Sequence, residues 1–181
     1  ENKNTFVELL QSDLFYPIKT EIIYQLKEVK FDDKKELLEL AMQTNDIKVR
    51  QAVAEFMDEI PLEFKSKYET FLYDKSYDTR EIALIKLFNA FPESQANYLE
   101  KAKDWFGNND LGLRTTFLLL CQMTDKIDEN QKAKYFDELV NYTSSNYESS
   151  IRQNAFGTVF QAKQPIDNQV LKNLVNATIH H

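Results

Sequence analysis

Few side chains in this sequence are equipped for catalysis. The only histidines are His180 and His181 at the extreme end, where they read equally well as native residues or as the start of a purification tag. They are set aside as metal ligands. With one cysteine besides, the usual zinc-ligand spacings cannot be assembled, so neither a metal site nor a catalytic residue is assigned. Cys121 has no histidine near it in sequence to activate it, and its apolar surroundings predict a core thiol. Asp32-Asp33 and the many other carboxylates form an acid pair in principle, but read better as a solvated face and as helix caps. No Gly-rich phosphate loop and no nucleophile elbow is present. Asn141-Tyr142-Thr143 and Asn176-Ala177-Thr178 match the glycosylation pattern, which is too common to carry an argument. What does recur is ionic: Arg50, Arg80, Arg114 and Arg152, preceded at close range by Asp46, Asp78, Asp110 and Glu148.

Those arginines sit in a repeated frame. One place before, three after and seven after Arg80 stand Thr79, Ala83 and Leu87. The same frame gives Val49, Val53 and Met57 on Arg50, then Leu113, Phe117 and Cys121 on Arg114. On Arg152 it gives Ile151, Ala155 and Val159, and a weaker copy on Lys19 gives Ile18, Ile22 and Leu26. Successive anchors are 31, 30, 34 and 38 residues apart. Repetition at this period, with a helical pattern inside each unit, is the sequence sign of stacked helical hairpins. A row of arginines along such a stack has two readings. It grips an anionic ligand or a peptide carboxylate, or each guanidinium bonds the nearby Asp or exposed carbonyls of the neighbouring unit. Bidentate geometry suits Arg to the second role, which we favour: Arg50, Arg80, Arg114 and Arg152 with Asp46, Asp78 and Asp110 are structural repeat anchors.

The elements that must hold these anchors follow from the chain in order. Thr5 to Gln11 reads as the tail of a preceding hairpin, and Pro17 opens a helix over Ile18 to Lys30 with Ile22, Ile23, Leu26 and Val29 inward. Asp32-Asp33 with Glu36 starts the next helix. Thr44-Asn45-Asp46 caps the Arg50 helix, and Pro61 opens its partner with Phe64, Tyr68, Phe71 and Leu72 on one side. Asp78 with Glu81 reads as a capping box for the Arg80 helix, whose Leu84, Leu87, Phe88 and Phe91 form one wide apolar face. Tyr98 to Phe106, ended by Gly107, make the helix after it. Asn109-Asp110 caps the Arg114 helix, the most apolar of all. Asp128 with Gln131 starts a helix carrying Tyr135, Phe136, Leu139 and Val140. After the polar string Asn141 to Ser150 come the Arg152 helix, Pro165-Ile166-Asp167 and a last helix with Val170, Leu171, Leu174 and Val175. The total is about eleven helices and no strand.

Composition agrees. Three glycines and four prolines in 181 residues leave little for β-turns, and 43% apolar residues suffice for a sizeable core. A net charge of −7 disfavours a nucleic-acid surface, which needs a basic stripe. One cysteine rules out an intramolecular disulfide. No apolar run is long enough to span a bilayer as a helix, and no signal peptide is evident. The opening Glu1-Asn2-Lys3-Asn4 reads as a cut end, so a piece of a longer chain is expected.

The Asp-(x)-(Val/Thr)-Arg-x-x-Ala unit resembles HEAT-like repeats. More narrowly, Thr79-Arg80-Glu81-Ile82-Ala83-Leu84-Ile85-Lys86-Leu87, followed by Phe91-Pro92-Glu93 and Tyr98-Leu99, is similar to the C-terminal helical region of bacterial zinc aminopeptidases of the aminopeptidase N family. So is Ile151-Arg152-Gln153-Asn154-Ala155-Phe156 with Leu171-Lys172-Asn173-Leu174-Val175-Asn176-Ala177. The resemblance implies an all-α fold, an α-solenoid of about five HEAT-like hairpins forming one domain over residues 1–181. It implies a domain that packs on the catalytic domain of the same chain and limits peptide access. The family's Gly-x-Met-Glu-Asn segment and its zinc-binding His-Glu-x-x-His helix have no counterpart here. No catalytic residue carries over, zinc is expected only in the parent's catalytic domain, and this stretch is not expected to be an enzyme. The resemblance leaves the compartment open, with export of the parent from a bacterial cytoplasm as one outcome. The alternative is a stand-alone adaptor whose concave face binds a protein partner; a DNA-binding HEAT-like protein is disfavoured by the acidic balance.

Overall fold

The computed structural model describes residues 2–12, 15–162 and 168–179. Every regular element among them is helical. In chain order these are α1 (Asn2–Gln11), α2 (Tyr16–Gln25), α3 (Phe31–Met42), α4 (Ile47–Phe56), α5 (Lys65–Tyr68), α6 (Tyr77–Ala90), α7 (Gln95–Ala102), α8 (Gly112–Met123), α9 (Glu129–Asn141), α10 (Ser149–Gln161) and α11 (Asn168–Ile179). Short 3-10 turns extend several of them, at Leu26–Glu28, on both sides of α5 and at Pro92–Ser94. Pro165-Ile166-Asp167, His180 and His181 lie outside the described residues.

The chain divides into two compact units, Glu1–Lys86 and Leu87–His181, the division falling inside α6. In the first, α4 packs on both α2 and α3, and α1 packs on α3. In the second, α8 packs on α7, α9 and α10, and α9 packs on α10. The repeated frame is what the units bury. Val49, Val53 and Met57, then Thr79, Ala83 and Leu87, then Leu113, Phe117 and Cys121, and finally Ala155 and Val159 are all buried. The weak copy on Lys19 behaves differently: Leu26 is buried, but Ile18 is half exposed. α8 has the most thoroughly buried strip, as its run of apolar residues requires. Burying a side chain of Leu or Phe size contributes about 1.5–3 kcal/mol, and Leu84 and Phe88 in α6 and Leu118 and Leu120 in α8 add to what the frame positions supply.

Local capping follows the sequence in places and departs from it in others. Asp46 caps α4, its Oδ1 accepting from the amides of Lys48 and Val49, and Asp128 caps α9 through the amide of Gln131. Pro17 sits in the first turn of α2. The capping box expected on Asp78 is not the cap of α6. Ser76 takes that place, its Oγ accepting from the Thr79 amide at 3.4 Å while its carbonyl accepts from the Arg80 amide. Asp78 is one residue inside α6, where its charge complements the positive helix end. α2 stops at Gln25 and leaves Val29 at the surface. α7 ends at Ala102, so Trp105 and Phe106 belong to the connection before α8 rather than to the helix.

That connection turns on Gly107, at φ 91°. A Cβ there would lie 2.9 Å from the Cβ of Leu113, so both conformation and space select glycine. Leu111 then enters α8 from the left-handed region, and the Asp110 carboxylate accepts the Gly112 amide at 3.0 Å.

Candidate functional site

Each anchor arginine occupies the first turn of its helix, α4, α6, α8 or α10, with its frame neighbours facing inward. At Arg50, Arg80 and Arg114 this places the guanidinium beside the end of the helical segment before it. Arg50 Nη1 donates to the Thr44 carbonyl at 2.8 Å, just past the end of α3. Arg114 Nη1 donates to the Lys103 carbonyl at 2.6 Å, just past α7. Arg80 Nε donates to the Asp74 carbonyl, just past the 3-10 turn that follows α5. Carbonyls at helix C-termini lack intrahelical partners, and a cation is well suited to satisfy them.

The other edge of the guanidinium takes a carboxylate. Arg50 Nε and Nη2 donate to Asp74 Oδ2 and Oδ1 at 2.6 and 3.1 Å. Arg114 Nε and Nη2 donate to Glu138 Oε1 and Oε2, both at 2.7 Å. Both are fork-on-fork pairs, the strong form of a charge-assisted bond. Asp46 and Asp110, which stand close to these arginines in sequence, instead bond the amides that open α4 and α8. The acids that do pair lie 24 residues further on in both cases. The same interval leads from Arg80 to Asp104 and from Arg152 to Asn176. Scanning for carboxylates at a constant distance after each arginine is the signal that finds them.

The two pairs differ in surroundings. Asp74 also accepts the Ser76 amide at 2.8 Å and is almost completely removed from water, with 6% of its side chain exposed. Burial pushes its carboxyl up, but the bonds from Arg50 and Ser76 and the charge of Arg80 outweigh this and hold it below the usual carboxylate range. Glu138 is wetter, at 27%, and its Oε1 also accepts the Tyr142 hydroxyl at 2.8 Å. Burial first, then that bond, pushes Tyr142 up to about 12. Arg114 lies between two rings, 5.0 Å from the Phe106 centroid and 4.8 Å from that of Phe117.

Arg152 stands apart. Its Nε is buried and, among the described residues, meets no hydrogen-bond acceptor.

Two further lysines with perturbed pKa values are committed to helix ends. Lys34 Nζ donates to the carbonyls of Leu26 and Lys27 at 2.9 and 3.3 Å and lies 4.6 Å from the Phe56 ring centroid. Lys86 Nζ donates to the carbonyls of Glu55 and Met57 at the end of α4. Burial lowers the pKa of both lysines. A cavity of about 250 Å³ beside Lys34 is lined by Phe31, Phe56, Met57 and Asp58, whose carboxylate bridges Lys27 at 2.7 Å and Lys86 at 3.8 Å. Burial pushes the Cys121 thiol up to about 12, which keeps it protonated and unreactive at neutral pH. Among the described residues no group of three or more His, Cys, Asp or Glu side chains is placed to hold a metal ion. No helix among them is long and apolar enough to cross a membrane. Comparison with protein-family models, curated proteins and solved structures gave no match for this chain.

Proposed function

We propose that this chain is a non-catalytic helical-repeat domain built of HEAT-like hairpins, and that it serves as the C-terminal domain of a zinc aminopeptidase of the aminopeptidase N family. The observation that carries the repeat reading is the recurrence of one arrangement at Arg50 and Arg114. In each, a first-turn arginine joins the carbonyl after the preceding helix to a carboxylate 24 residues on. An arginine spent in this way holds hairpins together and has little left for substrate. The family assignment rests on the residues around Arg80 and Arg152 that resemble the aminopeptidase C-terminal region. In that setting the domain packs on the catalytic domain and restricts which peptides reach the zinc.

A second reading, a free-standing adaptor for a protein partner, draws on the exposed Phe15, Tyr16 and Ile18 at the start of α2. The parent reading frame separates the two. A His-Glu-x-x-His segment upstream favours the aminopeptidase; its absence from the full frame leaves the adaptor. On the first reading, chelator-sensitive aminoacyl hydrolysis belongs to the full-length protein and is absent from residues 1–181. Removing residues 1–179 from the parent then lowers turnover of single-residue chromogenic substrates less than it lowers selectivity for short over long peptides. A truncated parent that folds and keeps its full length preference overturns the gating role, and zinc-dependent hydrolysis by the isolated chain overturns the non-catalytic reading.

A further inference from the structure

We propose that the cavity beside Lys34 binds a small carboxylic acid whose body is apolar and about the size of one ring. The cavity holds about 250 Å³ and opens to solvent within the first unit, between the start of α3 and the chain that follows α4. Phe31, Phe56, Met57 and Pro61 supply its apolar walls, and the Lys34 side chain also lines it. The walls are already in place. Phe56 and Met57 are buried, and the Phe31 ring meets the buried Phe64 ring edge-on at 5.4 Å. An apolar cavity of about 150 Å³ accepts a benzene molecule, so a ring with a short acidic arm fits here.

The head group follows from Lys34. An ammonium carries three donors. Two of them meet the carbonyls of Leu26 and Lys27 at 2.9 and 3.3 Å, and the nitrogen lies 4.6 Å from the centroid of the Phe56 ring. Among the described residues, which include every residue from 15 to 162, no acid forms an ion pair with it. One donor therefore remains for an incoming oxygen. Burial lowers the pKa of this lysine, and an added carboxylate offsets the desolvation of its charge. The two acids that line the cavity, Asp58 and Glu59, are both exposed. Asp58 is already met by Lys27 at 2.7 Å and by Lys86 at 3.8 Å. Its pair with Lys27 stands at the surface, where an ion pair is weak enough to yield to a ligand. The half-buried cation with no acid of its own is the charge that a guest must match, which selects a carboxylate over an ammonium.

The chain has three methionines, Met42, Met57 and Met123, and of these only Met57 lines the cavity. Carbon-13 labelling of the methionine methyls therefore reads the cavity in the whole chain, with Met57→Leu to assign its signal. Sodium phenylacetate is titrated at constant ionic strength, in parallel with phenylacetamide, which keeps the ring without the charge, and phenethylamine, which reverses it. The Met57 signal is expected to move and saturate with phenylacetate while Met42 and Met123 stay in place. A charge-assisted bond is about twice as strong as a neutral one, so half-saturation by the amide or the amine is expected to need roughly tenfold more ligand. Lys34→Gln keeps a donor for the two carbonyls but removes the charge, and is expected to erase the preference for the acid over the amide. In the unaltered chain, a Met57 signal that fails to saturate with phenylacetate, moves together with Met42 and Met123, or responds equally to acid and amide overturns the proposal. A Lys34→Gln chain that folds and keeps the preference overturns the role of Lys34.

Discussion

The ion pairs of Arg50 and Arg114 are the same device in two environments. Both bridge a carbonyl after one helix to a carboxylate 24 residues on. In the first unit both members are largely buried, Arg50 at 11% and Asp74 at 6%, and the acid is held also by the Ser76 amide. In the second the cation is the buried member, flanked by two rings, while Glu138 retains water. The cost of breaking a pair falls on whichever charge is left stranded out of water. One repeated geometry therefore gives two different sensitivities.

The largest test of that difference is removal of the cation. Arg50→Ala leaves Asp74 buried and uncompensated, and is expected to cost about 3–5 kcal/mol in urea unfolding. Arg114→Ala leaves an acid that water already reaches, so a smaller loss is expected despite the packing given up against Phe106 and Phe117. Equal losses break the comparison. Replacing both members of the first pair, Arg50→Met with Asp74→Leu, removes the stranded charge and is expected to recover much of the loss.

Acid titrates the same asymmetry. The Asp74 carboxyl is held below its ordinary value, near 3.9 in unfolded chains. Its contribution to stability is therefore complete above about pH 4 and is lost as the pH falls through the lower, folded value. Urea midpoints measured from pH 6 downward are expected to drop below about pH 4 in the wild type. In Asp74→Asn that part of the drop is expected to vanish, starting from a lower plateau.

The next effect is confined to the second pair. Gly107→Ala puts a methyl at a positive φ and within 2.9 Å of Leu113, in the connection that carries Lys103 and Phe106 to Arg114. Strain of this kind costs about 1–3 kcal/mol, read as a lowered midpoint with shifted signals for Arg114 and none for Arg50. Smallest is Phe106→Leu. It removes one ring from Arg114 while leaving Glu138 in place, and a loss of about 0.5–1 kcal/mol is expected for an exposed cation–π contact. No measurable change would leave Phe117 as the ring that matters.

Much of the helical order was legible because it rests on neighbours in sequence. The expected helices occur in the expected order, Asp46 and Asp128 cap as read, and Leu84, Leu87, Phe88 and Phe91 are all buried. Ser76 displaced Asp78 as the cap because Asp74 and Ser76 together form the turn into α6, two acceptors the helical pattern does not mark. Trp105 and Phe106 read as helical because they continue an apolar spacing, but α7 ends before the Gly107 turn, and Phe106 is used as a lid on Arg114.

The sequence by itself determined an all-helical chain and the positions its helices bury. The periods of 3.6 and of 30 to 38 residues are written in residue types, and each apolar side chain seeks burial regardless of its neighbour's identity. Only the tertiary structure decided which acid each arginine holds. Asp46 and Asp110 are nearer in sequence, but each is consumed by the unpaired amides at the start of its own helix. Asp74 and Glu138 reach their arginines because the intervening helical segment returns the chain to that point. How far it returns depends on turn geometry and packing, which no local pattern records.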